Sequence, residues 1–238
     1  FPPPEVERLA RKAIFEFGRM KARNDPSDFS ARAWVDKHVS KGSALVFDSD
    51  VEINEGGAVQ RMKFCTTEET WGYCWEHGYK FQWEGEWFMP HPDRVLVGRA
   101  VTCTWVPHRP DLHENLMDLG QKTESRIGFM NSWVIATLQK DDVVVVDLFG
   151  KIYKGTYSGG NLSTAIATRT GRGQVIYGGI RDAQQVMEIP NLLTFCKGVD
   201  PTAIADVTLI GMNVPCRIGG ATCMPGDVVL GTYSGVLF

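Results

Sequence analysis

An α/β fold is predicted by three features of this 238-residue chain. From residue 94 onward, strand-like and helix-like apolar spacing alternate, the pattern of βαβ units. The four consecutive valines from Val143 to Val146 read as a short strand buried on both faces. The last third is punctuated by Gly211, Pro215, Gly219-Gly220, Pro225-Gly226 and Gly235, a spacing suited to tight turns between strands.

Taken in order, residues 4–20 place Val6, Leu9, Ala13 and Phe17 at helical spacing behind a run of prolines, which predicts an opening helix. Residues 24–57 turn polar and glycine-containing around a short helix near 31–39. Residues 66–79 predict a helix with Trp71, Trp75 and Tyr79 on one face; core or a subunit seam is the preferred reading of that stripe over a sugar-stacking platform. Beyond them, 94–106 reads as a strand, 124–139 as a helix and 142–149 as a strand. Residues 153–160 read as extended, 162–170 as a helix, 174–178 as a strand and 181–187 as a short helix, with 206–238 β-rich. The expected division is an N-terminal helical extension with an aromatic-rich insert over 1–93 and an α/β domain over 94–238.

Composition excludes several function classes. Apolar residues at 43% and charged residues at 22% are those of an ordinary globular chain able to bury a core unaided. A formal charge of −3 with scattered Lys and Arg gives no basic stripe, so nucleic acid is not an expected partner. The apolar runs are strand-length, far below the roughly 20 residues that cross a bilayer, so no membrane partner is expected. The six cysteines form no CxxC pair and have no histidine at zinc-ligand spacing, so they read as reduced and mostly buried. The native start is not readable from Phe1, and the cytoplasm is the default location.

One corner stands out on simple distances. A helix over 162–170 carries the chain about 15 Å from Gly160, at roughly 1.5 Å per residue. The strand that follows returns it at about 3.3 Å per residue, so Arg181 and Asp182 should arrive beside Gly160. Helix N-termini offer unpaired N–H groups and partial positive charge, and ligands of open α/β sheets bind beyond the strands' C-terminal ends. A carboxylate can approach the amides of Asn161 and Leu162 past the bare Gly159 and Gly160, with Arg181 as a fork. Asp182 would then face the anion across a divalent metal, Mg²⁺ or Mn²⁺, largely ligated by water. The plainer alternative is a surface ion pair capping a short helix.

The segments VLVGRAVTCTW (95–105), QKDDVVVVDLFGK (139–151), SGGNLSTAIATRTGRGQVIYGGIRD (158–182) and NVPCRIGGATCMPGDVVLGTYSGVLF (213–238) carry a family resemblance. They resemble the RraA-like family, which includes regulator of ribonuclease activity A and the class II 4-hydroxy-4-methyl-2-oxoglutarate aldolases. The central feature is Gly160 followed by twenty residues (161–180) and then Arg181-Asp182. The resemblance implies a swivelling β/β/α domain, assembled as a homotrimer or hexamer with sites at subunit boundaries. It implies that Asp182 binds the metal, that Arg181 contacts substrate and that the Asn161 and Leu162 amides hold a pyruvate carboxylate. The implied activity is a metal-dependent lyase of small 2-oxo acids, either 4-hydroxy-2-oxo acid aldolase or oxaloacetate decarboxylase, passing through a pyruvate enolate. The alternatives are a non-catalytic, protein-binding regulator and, third, a sugar-acid lyase or hydratase. Family aldolases often carry Asp where this chain has Gly160, which weakens the expectation of aldol cleavage more than that of metal binding. In HRPDLHEN (108–115), Arg109, Asp111 and His113 are either substrate contacts or part of a solvated loop. Asp147 is either a supporting residue of the site or a satisfied strand-end carboxylate.

Overall fold

The computed structural model describes residues 66–238; the helix expected at 4–20, the one near 31–39 and Cys65 lie outside the described residues. Helix α1 (Thr67–Glu76) starts at a capping box, in which the Thr66 hydroxyl accepts from the Glu69 amide and the Glu69 carboxylate takes the Thr66 N–H. Its aromatic stripe does not enter the core of this chain: Trp71 and Trp75 are 38% and 44% exposed. Strand β1 (Trp83–Glu84) follows, then the long β2 (Leu96–Pro107). After β2 come α2 (Pro110–Asp118), a π turn over Leu119–Thr123 and α3 (Met130–Thr137).

Two corrections fall here. The segment 108–115 is mostly helix rather than loop: Pro110 occupies the first turn, where its missing N–H costs nothing. The helix expected over 124–139 is confined to Met130–Thr137, because Ser125 and Gly128 take positive φ values of 54° and 81°, which an α-helix does not accommodate.

The remaining order is β3 (Asp142–Asp147), β4 (Thr156–Ser158), α4 (Gly160–Thr170), β5 (Gly173–Ile180), α5 (Ala183–Glu188), β6 (Leu193–Val199), β7 (Val207–Met212), β8 (Cys216–Ile218), β9 (Ala221–Cys223), β10 (Val228–Thr232) and β11 (Gly235–Leu237). The main sheet runs β1-β11-β10-β2-β3-β5-β4, with β6 also paired to β5 and β7 to β2. Strands β2, β3, β4, β5 and β6 are mutually parallel along their pairings, so their C-terminal ends share one edge of the molecule. Residues 83–88 are built into this sheet: β1 pairs with β11, and Phe88 bridges Cys196.

The valine run explains the layering. Val144 and Val146 face a core completed by Met130, Trp133 and Val134 of α3, Ile166 of α4 and Val186 of α5. Val143 and Val145 face the opposite core, closed by the β8–β9 hairpin through Cys216, Ile218, Ala221 and Cys223, with Trp87 and Phe195. Helices thus cover one face and a two-stranded ribbon the other, and each fully buried valine contributes about 1.5–3 kcal/mol.

Candidate functional site

The parallel pairing of β4 with β5 builds the corner anticipated from the sequence. The Arg181 amide donates to the Ser158 carbonyl at 3.0 Å, which lays the end of β5 against the residue preceding Gly159. Gly159 is the N-cap of α4 and carries no side chain to cap it, while Gly171 closes the other end in the left-handed conformation. Behind the helix start lies a buried polar chain. The Ser158 hydroxyl donates to Gln174 Oε1 at 2.9 Å, and Gln174 Nε2 donates to the hydroxyls of Ser163 (3.2 Å) and Thr194 (3.0 Å). A satisfied network of this kind holds its members in one arrangement.

The residues singled out in the sequence meet here. Asp182 takes φ 53° and ψ 39° at the entrance to α5, and this left-handed turn aims its carboxylate back at α4. Its Oδ2 accepts the Gly160 N–H at 3.0 Å and lies 3.9 Å from Arg181 Nε. A β-carbon on Gly159 would fall 2.4 Å from Asp182 Oδ2 and 2.9 Å from Arg181 Nε, so both side chains close over bare backbone. The N–H groups of Asn161 and Leu162, in the first helical turn, have no intrahelical acceptor. Arg181 and Asp182 keep 43% and 46% of their side-chain surface exposed, so both remain accessible to a ligand.

Could this corner hold a divalent cation? Asp182 is half exposed, and only its Oδ2 is engaged by the Gly160 amide. One carboxylate with water in the other positions suits Mg²⁺ or Mn²⁺, which surrender water reluctantly. Among the described residues no group of three His, Cys, Asp or Glu side chains is gathered to hold an ion. The donor set therefore fits a mostly hydrated cation and does not fit a closed structural site.

Other candidates sort differently. Arg109 and Asp111 pair with each other at 2.8 Å on the surface, their side chains 74% and 61% exposed, and the Arg109 guanidinium holds the Asp111 carboxyl below its usual range. His113 bonds the Thr208 hydroxyl at 3.0 Å, tying α2 to β7; partial burial, with His108 nearby, lowers its pKa. Asp147 accepts the Phe149 amide at 2.9 Å at the end of β3, and burial raises its pKa: it is a satisfied strand-end carboxylate. Burial pushes Cys196 up to about 12 and Cys103 higher still, so neither thiol is a nucleophile near neutral pH.

Sequence reasoning missed Gln185. A β-carbon on Gly160 would lie 2.3 Å from Gln185 Oε1, so this carboxamide rests on the glycine. No periodicity signal could have found it, because its approach to Gly160 follows from the left-handed turn at Asp182, the residue ahead of the short helix.

The sequence profile of the RraA-like family, described as aldolase/RraA, matches residues 76–238. The chain belongs to the RraA-like family. The match starts ahead of the segments that carry the resemblance and takes in the strand and loop at 83–88. Solved structures agree on the fold. RraAS2 of Streptomyces coelicolor, described as an unusual member of the RNase ES inhibitor RraA protein family, superposes with a TM-score of 0.63 at 23% identity, covering 75% of this chain and 83% of that one. A structure from gut-associated microbes, described under novel cellulases, gives 0.66 at 17% identity over 90% of this chain and 89% of that one. An uncharacterized protein of Pseudomonas syringae pv. tomato gives 0.60 at 20%, covering 82% and 81%. Identities this low speak to fold and not to activity. Among the described residues, no helix is long and apolar enough to cross a membrane.

Proposed function

We propose that this RraA-like chain is a divalent-metal-dependent carbon–carbon lyase acting on small 2-oxo acids through a pyruvate enolate. The observation that carries the proposal is the convergence of Arg181 and Asp182 on bare Gly159–Gly160 at the start of α4. In this reading the Asn161 and Leu162 amides and the Arg181 guanidinium receive the substrate carboxylate, and Asp182 holds Mg²⁺ or Mn²⁺. When bound, the cation supplies Lewis-acid stabilisation of negative charge developing on the keto oxygen. The chain's own groups fix the acid in one orientation and present positive charge where the enolate forms.

Of the two reactions that share this enolate, decarboxylation of oxaloacetate suits the corner better. Retro-aldol cleavage must remove a hydroxyl proton, and Gly160 offers no carboxylate for that task. Decarboxylation breaks the C3–C4 bond with loss of CO₂ and leaves the electron pair in the enolate, which then takes a proton at C3. The family resemblance supports a homotrimer or hexamer in which a neighbouring subunit borders the site. A second reading, a protein-binding regulator without catalysis, draws on the missing carboxylate at 160 and on the inhibitor family of RraAS2.

The test is pyruvate release from oxaloacetate with added Mg²⁺ or Mn²⁺. Asp182→Ala is expected to lower the metal-stimulated rate at least about a hundredfold, close to 3 kcal/mol of transition-state stabilisation. Unchanged turnover in that variant removes the metal role of Asp182. A wild-type protein without lyase activity that instead retains a ribonuclease in a pull-down supports the regulator.

A further inference from the structure

Four buried polar side chains meet behind the start of α4. Ser158 of β4, Ser163 of α4, Gln174 of β5 and Thr194 of β6 are each at most 4% exposed. Three of them close a ring: the Ser158 hydroxyl donates to Gln174 Oε1 at 2.9 Å, Gln174 Nε2 donates to the Ser163 hydroxyl at 3.2 Å, and the Ser163 hydroxyl donates back to that of Ser158 at 3.2 Å. Gln174 Nε2 also donates to Thr194 on the neighbouring strand, at 3.0 Å. Ser158 and Ser163 stand immediately before and after 159–162, the segment whose amides face the acid in the reading above. Gln174 is on β5, the strand that leads into Arg181-Asp182.

We propose that Gln174 is a positioning residue, which pins both ends of 159–162 to β5 and so sets the spacing between the α4 amides and the Arg181–Asp182 pair. The role rests on the function proposed above and adds to it a residue that touches neither acid nor metal. The ring's advantage is direction. An apolar core of the same volume would hold these elements together as firmly, because buried hydrogen bonds add little net stability over good packing. Packing does not fix orientation, whereas each bond of a closed ring is directional and the loss of one member leaves two others unsatisfied. An anion site tolerates shifts of only about 0.5 Å in its donors, which gives a rigid backing a use at this place.

Calorimetric titration with pyruvate in Mg²⁺ tests this on wild type, Gln174→Met, Gln174→Glu and Thr194→Val, with folding of each checked by denaturant unfolding. Gln174→Met fills the same space but opens the ring, and it raises the pyruvate Kd at least about tenfold. Gln174→Glu, which burial keeps protonated at about pH 6, still accepts from Ser158 and donates to Ser163, so its Kd stays within about threefold of wild type. Thr194→Val lowers stability through the orphaned N–H of Gln174 yet leaves the ring closed, so its Kd stays within about twofold. A folded Gln174→Met protein that binds pyruvate as wild type does, or a Gln174→Glu or Thr194→Val protein as weak as Gln174→Met, overturns the role of Gln174 and leaves the 2-oxo acid reading standing. Should Gln174→Met not fold, Ser163→Ala opens the ring with less loss of packing and takes its place, with a Kd raised about threefold; wild-type affinity there overturns the role. A wild type that binds no pyruvate brings down that reading and this inference together.

Discussion

Gly159 and Gly160 lack side chains for different physical reasons, and both reasons concern neighbours rather than backbone conformation. Gly159 has φ −121°, a value any residue adopts, yet a methyl there would press on Asp182 Oδ2 and on Arg181 Cγ and Nε. Gly160 is helical, and its restriction comes from Gln185. Gly159→Ala is therefore expected to displace both charged side chains at a cost of about 1–2 kcal/mol in stability, the range for overpacking. Pyruvate affinity should fall at least about tenfold in the same variant, because the guanidinium no longer lines up with the α4 amides. Wild-type affinity in a folded Gly159→Ala protein would show that the acid binds elsewhere.

At the scale of elements, the end of β3 makes a prediction about pH. Burial raises the Asp147 carboxyl above its ordinary 3.8, against the opposing pull of the Phe149 amide and Arg217. Between 3.8 and that raised value the folded chain holds a proton that the unfolded chain has released, so stability falls as pH rises through this window. Asp142, raised by burial despite Arg99, adds a slope of the same sign. Asp147→Asn keeps an oxygen for the Phe149 amide and removes the titration, so its loss of stability from about pH 4 to about pH 7 is smaller than the wild type's. Denaturant unfolding of both proteins across that range checks it; parallel curves would mean that folding does not shift the Asp147 carboxyl.

The same scale shows what the sequence could carry. The meeting of Gly160 with Arg181 was legible because a helix and its return strand obey fixed rises per residue. The double-sided burial of β3 was legible because four valines allow little else. Strand β6 went unread because LTFCKGV does not alternate, although Pro190-Asn191 marks a turn just ahead of it. The helix expected over 124–139 was drawn too long because positive φ at Ser125 depends on surroundings that periodicity does not record. Gln185 was hidden for a related reason: its reach to Gly160 depends on the left-handed turn at Asp182, a conformation few non-glycine residues adopt.

Across the whole molecule, one ammonium joins three parts of the chain that are distant in sequence. Lys197 Nζ on β6 donates to Glu84 Oε1 at 2.8 Å and to the Gly85 carbonyl at 2.6 Å, and it lies 4.4 Å from the Trp87 ring centroid. The other oxygen of Glu84 accepts the Gly220 amide at 2.9 Å, which extends the connection to the turn of the β8–β9 ribbon. Lys197 and Glu84 keep only 15% and 18% of their side-chain surface exposed, so removing one charge leaves the other poorly solvated. Lys197→Met is expected to cost about 2 kcal/mol, less than a fully buried pair because some water still reaches Glu84. Adding Glu84→Gln should recover about half of that, since the amide oxygen still serves Gly220 and no orphan charge remains. With Glu84→Gln alone costing about 1 kcal/mol, the double-mutant cycle reports a coupling of about 2 kcal/mol by denaturant unfolding; strict additivity of the two substitutions would mean that the ion pair adds nothing to the hold between the ribbon, β1 and β6.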